Sequence, residues 1–159
     1  MAYAFPVDRL IHRFKFGGDL AVGRWLGLRL AERARGEPRP DLLLAPPLSG
    51  ARLRERGFNQ AHELARTVGR ELGLRAPFQG LSRRRETAPQ PGLGREARRA
   101  NLTGAFECRL DLQGLRVAIV DDVLTTGATA DAFAQVLLRA GARMVDVWVV
   151  ARTPPPGDG

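Results

Sequence analysis

The spacing of apolar positions changes along the chain, and each change marks an element. Val7, Leu10, Ile11 and Phe14 fall on one helical face, and Gly17-Gly18 closes that segment. Asp19 can cap a second helix, with Leu20, Trp25, Leu26 and Leu30 among its apolar residues, running toward Arg35. Asp41-Leu42-Leu43-Leu44-Ala45 has the pattern of a buried strand and leads into a small-residue loop from Pro46 to Ala51. Phe58, Ala61, Ala65, Val68 and Leu72 form the stripe of a helix that starts near Gly57 and can end at Gly73. Short strands are expected at Phe78 to Leu81 and Leu102 to Phe106, with a turn from Asp111 to Gly114. The uninterrupted run Val117 to Val120 predicts a parallel strand covered on both faces. Phe133, Val136, Leu137 and Ala140 predict the helix after it, Gly141 its end, and Val145 to Val150, with Trp148 inside, the last strand.

Strand, loop and helix therefore occur twice, which predicts an α/β domain with a central, mostly parallel sheet flanked by helices. Parallel topology puts the two loops on one edge, at the carboxyl ends of the strands. A single domain is expected over residues 1–152, and the proline- and glycine-rich tail Thr153 to Gly159 is expected to be disordered.

The two loops differ in chemistry. After the central strand come Asp121 and Asp122, placed where that strand should end, and then Thr125, Thr126, Gly127, Ala128 and Thr129. A turn of such small residues lets backbone N–H groups converge on one point, and the helix start adds a favourable potential for an anion. Carboxylates beside an anion would repel it unless they face another part of the ligand, and vicinal sugar hydroxyls can donate to them. The pattern points to a sugar phosphate, with a divalent cation if more phosphate is present. Taken alone, the same acids could simply cap the helix. The other loop is followed by Arg52, Arg54 and Arg56. Between Ser82 and Asn101 the apolar period disappears, and Arg83, Arg84, Arg85, Arg95, Arg98 and Arg99 stand among prolines and glycines. That segment reads as a mobile functional loop that closes on an anion, or as a short exposed helix, or as a surface excursion with no ligand. His12 and Lys15 lie off the first apolar face and read as exposed helix residues, with substrate contact as the alternative.

Composition adds limits. A chain of 159 residues, 44% hydrophobic, is long enough for one domain with a core. It lacks both the roughly 20 apolar residues of a membrane span and a signal-peptide pattern, so a cytoplasmic protein is expected. Cys108 is the only cysteine, which excludes an internal disulfide and a cysteine-based zinc site. The formal charge is +8, and Lys15 is the only lysine among 25 basic residues. This charge suits polyanionic partners, or it is a solvated surface in which coding bias has replaced lysine by arginine.

The gap-free string Val117 to Thr129 closely resembles the phosphoribosyl pyrophosphate (PRPP) binding motif of type I phosphoribosyltransferases. Nearly the whole chain resembles the ComF family of competence-associated phosphoribosyltransferase-like proteins. That likeness runs through Phe14 to Asp19, Pro46-Pro47-Leu48, Leu53 to Ala61, Arg85, Thr87 and Gln90, and Arg98 to Phe106. Arg54-Glu55-Arg56-Gly57-Phe58-Asn59-Gln60 is its most family-specific piece.

The resemblance implies the type I phosphoribosyltransferase fold with a small N-terminal helical hood at residues 1–35. It implies PRPP or a related ribosyl phosphate as ligand, Mg²⁺ as cofactor, and transfer of the phosphoribosyl group to an unidentified acceptor with release of pyrophosphate. Asp121 and Asp122 would hold the ribose hydroxyls and stabilise positive charge, and Thr125, Thr126, Gly127, Ala128 and Thr129 would bind the 5-phosphate. Pro47, Leu48, Ser49, Gly50 and Ala51 would meet the pyrophosphate, supported by Arg52 or Arg56. Arg85, Thr87, Gln90 and Arg98 would belong to the flexible loop, and Mg²⁺ would have no direct protein ligand. Thr125 stands where 6-oxopurine enzymes carry an aspartate, so an amine, another base, or no acceptor stays open. The family context adds single-stranded DNA or competence proteins as partners, and a non-catalytic module that senses PRPP or nucleotides or handles single-stranded DNA as the alternative function. Family members often begin with a cysteine-rich zinc ribbon, which this sequence lacks. Oligomeric state is left open.

Overall fold

The computed structural model describes residues 1–83 and 104–153. In chain order its elements are α1 (Val7–Gly17), α2 (Leu20–Ala34), β1 (Leu42–Leu44), α3 (Gly50–Arg56), α4 (Gln60–Leu72), β2 (Leu81–Arg83), β3 (Phe106–Cys108), β4 (Arg116–Leu124), α5 (Ala128–Arg139) and β5 (Met144–Arg152). Among the described residues β1, β4 and β5 form a parallel sheet with β4 in the middle, and β2 pairs with β3 antiparallel beside it.

The apolar run of β4 has no polar interruption because the pleat sends alternate residues into two cores. Ala118 and Val120 join Leu43, Trp148 and Val150 under α1, α2 and α4. Val117 and Ile119 join Leu42 and Leu44 on the side of α5 and β3, against Phe133, Leu137 and Phe106. Helices α2 and α4 pack on each other and on the sheet, so α1 is carried on a helix that is itself part of the core. Leu42 is joined on its outer side by a single bridge to Arg75, and Arg152 by one to Ala2.

Three expectations need correction. The strand does not end at the acidic pair. It continues to Leu124 because β5 runs alongside, with Asp121 opposite Val149 and Val123 opposite Ala151, and a backbone ladder is indifferent to the polarity of its side chains. A helix not expected from the sequence, α3, occupies Gly50–Arg56 where a loop and arginines were read; Gly57 ends it with a left-handed φ of 75°, and the helix expected near Gly57 is α4, which starts after an Asn59 cap. Helix α3 buries no residue, so it leaves no apolar stripe to read. The strand expected at Phe78 to Leu81 lies at Leu81–Arg83; of the one expected at Leu102 to Phe106, Leu102 and Thr103 lie outside the described residues and Phe106 opens the strand Phe106–Cys108. Thr153, placed in the tail by the sequence, donates through its backbone N–H to the Leu124 carbonyl at 3.1 Å, and residues 154–159 lie outside the described ones.

Helix α1 approaches α2 at Gly23, where an added Cβ would lie 2.3 Å from the Phe14 ring. Gly23→Ala must therefore push α1 away from α2. We expect a loss of about 1–3 kcal/mol in urea unfolding, against little change for Gly17→Ala, where nothing lies within 4 Å.

Candidate functional site

At the carboxyl edge of the sheet the alternation of β4 continues through the acidic pair. Asp122 follows Ala118 and Val120 toward α1, while Asp121 follows Val117 and Ile119 on the opposite row. Asp122 is almost sealed from solvent, its side chain 8% exposed, and its Oδ1 lies 2.9 Å from Lys15 Nζ. The lysine is not a free residue on an exposed helix, as its position off the apolar face implied; it is the counter-ion of a site carboxylate. His12 does remain exposed.

Asp121 accepts a hydrogen bond from the backbone N–H of Asp122 at 2.8 Å. Burial, and then the neighbouring Asp122 charge, push its carboxyl up to about 7. The residue as a whole keeps some exposure along the cleft wall, and that access to water limits the stability consequence. The two acids thus differ: one is an ion-paired carboxylate, and the other exchanges its proton near neutrality.

The turn after β4 is set by Gly127, which adopts a left-handed φ of 79° immediately before α5. The Ala128 N–H donates to Thr126 Oγ1 at 3.4 Å. The N–H groups of Thr129 and Ala130 meet no acceptor among the described residues, as expected of a helix start, and such donors favour an anion. The Thr153 hydroxyl donates toward the carbonyls of Leu124 and Thr125 at 3.4 and 3.3 Å, tying the turn to the end of β5.

The loop after β1 is fixed by Asn59. Its side-chain amide donates to the Pro46 carbonyl at 3.0 Å, and its oxygen accepts from the His62 N–H at 3.3 Å. Gln60, only 2% exposed, accepts from Arg56 at 3.0 Å and donates to the Lys15 carbonyl at 3.4 Å. The Arg56 guanidinium also stacks over the Phe16 ring at 5.1 Å, and its buried Nε has no hydrogen-bond partner. Arg56, Gln60, Lys15 and Asp122 thereby form one connected set joining α3, α4, α1 and β4.

These groups line a cleft of about 280 Å³, which brings Pro47, Leu48, Arg52 and Arg56 opposite Asp121, Asp122, Thr125 and Thr129. Thr126, Gly127 and Ala128 shape the turn without lining the cleft. Ser49 is buried as the cap of α3, accepting from the Arg52 N–H at 3.4 Å, and Gly50 and Ala51 are in that helix instead of in a loop. Arg85, Thr87, Gln90 and Arg98 lie outside the described residues. Lys15, Asn59, Gln60 and Arg83 line the cleft as well; the sequence offered Lys15 as an alternative substrate contact and Arg83 as part of the basic segment, and did not assign Asn59 or Gln60. The signal for Asn59 and Gln60 was present in the family-specific string, but their work is to hold backbone, which spacing does not reveal.

No group of three or more His, Cys, Asp or Glu able to hold a metal occurs among the described residues. With Asp122 paired to Lys15, the donor set fits a hard cation arriving with a polyphosphate better than one held in a protein cage. No helix among the described residues is long and apolar enough to cross a membrane.

The parallel sheet, the helices on both of its faces and the acid-then-turn edge define the type I phosphoribosyltransferase fold. A glutamine PRPP amidotransferase from B. subtilis, complexed with ADP and GMP, matches 80% of this chain with a TM-score of 0.55 at 21% identity. The chain spans only 26% of that enzyme. The DNA utilization protein YhgH of Escherichia coli is 41% identical over 157 residues, covering 95% of this chain and 69% of its own length. Competence protein F of Haemophilus influenzae is 33% identical over 159 residues, covering 94% and 69%. No family model matches the chain. The chain belongs to the ComF family, with these DNA utilization and competence proteins.

Two outcomes test this electrostatic arrangement in the ligand-free protein. Lys15→Met strands a buried carboxylate and should cost about 3 kcal/mol at pH 7, as breaking a buried pair does, most of it restored in Lys15→Met/Asp122→Asn. An additive double variant would mean that the ion pair does not form. For Asp121 the folded pKa is raised, so its contribution is fully present below the unfolded value of 3.8 and is lost as pH rises through about 7. Asp121→Asn removes that loss. Its unfolding free energy should gain on the parent as pH rises from about 4 to about 7, by an amount on the order of 1–2 kcal/mol, and equal pH dependence of the two proteins would contradict the raised pKa.

Proposed function

We propose that the cleft binds PRPP together with Mg²⁺ and transfers its phosphoribosyl group to an acceptor, releasing pyrophosphate. The observation that carries this reading is the meeting, in one cleft, of two adjacent carboxylates, the unpaired N–H groups of an α5 start, and arginines on the facing wall. A ribosyl ligand with phosphoryl groups at two positions satisfies all three. Its 5-phosphate would take the Thr125 to Thr129 turn, and its ribose hydroxyls would donate to Asp121 and Asp122. Its pyrophosphate would lie by Pro47, Leu48, Arg52 and Arg56.

In such a transfer the C1–oxygen bond breaks with its electron pair leaving on pyrophosphate. The acceptor's lone pair forms the new bond at C1, and its proton passes to solvent or to the leaving group. Positive charge builds on the ribose, and ionised carboxylates beside it stabilise that charge. Bound Mg²⁺ would neutralise the leaving pyrophosphate. The ligand's hydroxyls must compete with Lys15 for Asp122, and the lysine so released remains within the anionic site. Thr125 supplies no carboxylate for a base proton, which favours acceptors that need none.

A second reading is favoured by the relatives' names. Beside DNA utilization and competence proteins, the alternative reading of the chain is a DNA-handling module, with its basic residues as the contact surface. Saturating PRPP with Mg²⁺ should stabilise the folded chain by about 2.7 kcal/mol at 100 times Kd, and ribose 5-phosphate by less. Asp122→Asn should abolish most of that shift. No shift with PRPP, alongside salt-dependent binding of single-stranded DNA, would favour the second reading over the first.

A further inference from the structure

We propose that Gln60 is a positioning residue that couples the two walls of the cleft, so that an anion taken by Arg56 loosens the hold of Lys15 on Asp122. The inference rests on the reading of the cleft as an anion site, but not on PRPP being its ligand.

Arg56 stands on the basic wall and Asp122 on the acidic one, and both line the cleft. In the ligand-free protein the Arg56 guanidinium is parked. One terminal nitrogen donates to Gln60 Oε1 at 3.0 Å, its face covers the Phe16 ring at 5.1 Å, and its buried Nε has no hydrogen-bond partner. A buried donor without an acceptor is an uncompensated cost of that position. A phosphoryl anion in the cleft offers the planar fork the acceptors that the parked position lacks, so Arg56 gains by turning toward it.

That turn does not leave Gln60 undisturbed. Its side chain is nearly sealed from solvent, and Arg56 is the donor its oxygen uses. A buried amide oxygen stripped of its donor must find another, so the side chain shifts with the arginine. The same amide donates through Nε2 to the Lys15 carbonyl at 3.4 Å. Lys15 lies in the last turn of α1, where carbonyls have no partner within the helix, and Gln60 supplies one. The ammonium of that same lysine is 2.9 Å from Asp122 Oδ1. Asn59, the neighbouring amide, is engaged with Pro46 and His62 and takes no part. Three contacts present in the free protein, Arg56 to Gln60, Gln60 to Lys15 and Lys15 to Asp122, thus connect the walls. The sign of the coupling follows. Filling the basic wall frees the Asp122 carboxylate for a donor on the ligand, and by reciprocity neutralising Asp122 eases capture of the anion.

A Gln60 that only braced the fold would weaken binding without changing how one wall affects the other. A double-mutant cycle separates the two roles, read by isothermal titration with inorganic pyrophosphate, which carries no sugar hydroxyls. The full chain is compared with Asp122→Asn, Gln60→Leu and the double variant, each with its fold checked by melting temperature. Asp122→Asn should tighten pyrophosphate binding about tenfold in the parent, because the anion no longer has to draw Lys15 from a carboxylate. In the Gln60→Leu background that gain should fall to about threefold, the part that acts through space. Gln60→Glu keeps an acceptor for Arg56 and loses the donor to the Lys15 carbonyl, so it should fold even where Gln60→Leu does not and should reduce the gain in the same way. An equal gain in all backgrounds, or a parent chain that does not bind pyrophosphate, would overturn the coupling. A Gln60-dependent gain in a chain that fails to bind PRPP would leave the coupling standing and remove only the PRPP reading.

Discussion

A carboxylate almost closed off from water at the end of a parallel strand needs a cation, and α1 brings it. The contact between Lys15 and Asp122, 2.9 Å long, joins the N-terminal helix to the centre of the sheet across more than a hundred residues of sequence. Removing Lys15 would leave the Asp122 charge where little water reaches it, so the position of α1 and the charge balance of the site are one constraint. The same contact divides the acidic pair into unlike members. Asp122 is paired with the Lys15 ammonium, whereas Asp121, buried beside it, is pushed up to about 7. The free site thus limits its own accumulation of negative charge.

Around this contact the family-specific string acts as a brace. Gly57 ends α3, Phe58 packs on Phe14 with ring centroids 5.6 Å apart, Asn59 holds the Pro46 carbonyl, and Gln60 holds both Arg56 and the backbone of Lys15. Of the seven residues from Arg54 to Gln60, Arg56, Asn59 and Gln60 reach the cleft wall, while Gly57 and Phe58 fix the chain between them.

The fold was legible because its signals are local. Helical stripes marked α1, α2, α4 and α5, the capping role of Asp19 followed from residue type, and the apolar run of β4 implied cover on both faces. What was not legible depends on partners distant in sequence. Strand β4 runs past its acids only because β5 runs beside it. Helix α3 has no buried face and therefore no period. Lys15 looked like solvent-facing helix because nothing in the order of residues tells that Asp122 lies opposite. In the site, the acids and the turn were readable as chemistry, while Asn59 and Gln60 serve by bonding backbone, which leaves no mark in spacing.

Because Lys15 is the only lysine, its side chain can be observed alone. In protein labelled with ¹³C,¹⁵N-lysine, the single Nζ/Cε signal reports the contact with Asp122 directly. The account predicts that this signal is that of an ion-paired ammonium in the free protein, moves in Asp122→Asn, and moves again on saturation of the parent with PRPP and Mg²⁺ as ribose hydroxyls take the carboxylate. A lysine signal that matches free lysine and is unchanged by both the substitution and the ligand would contradict it.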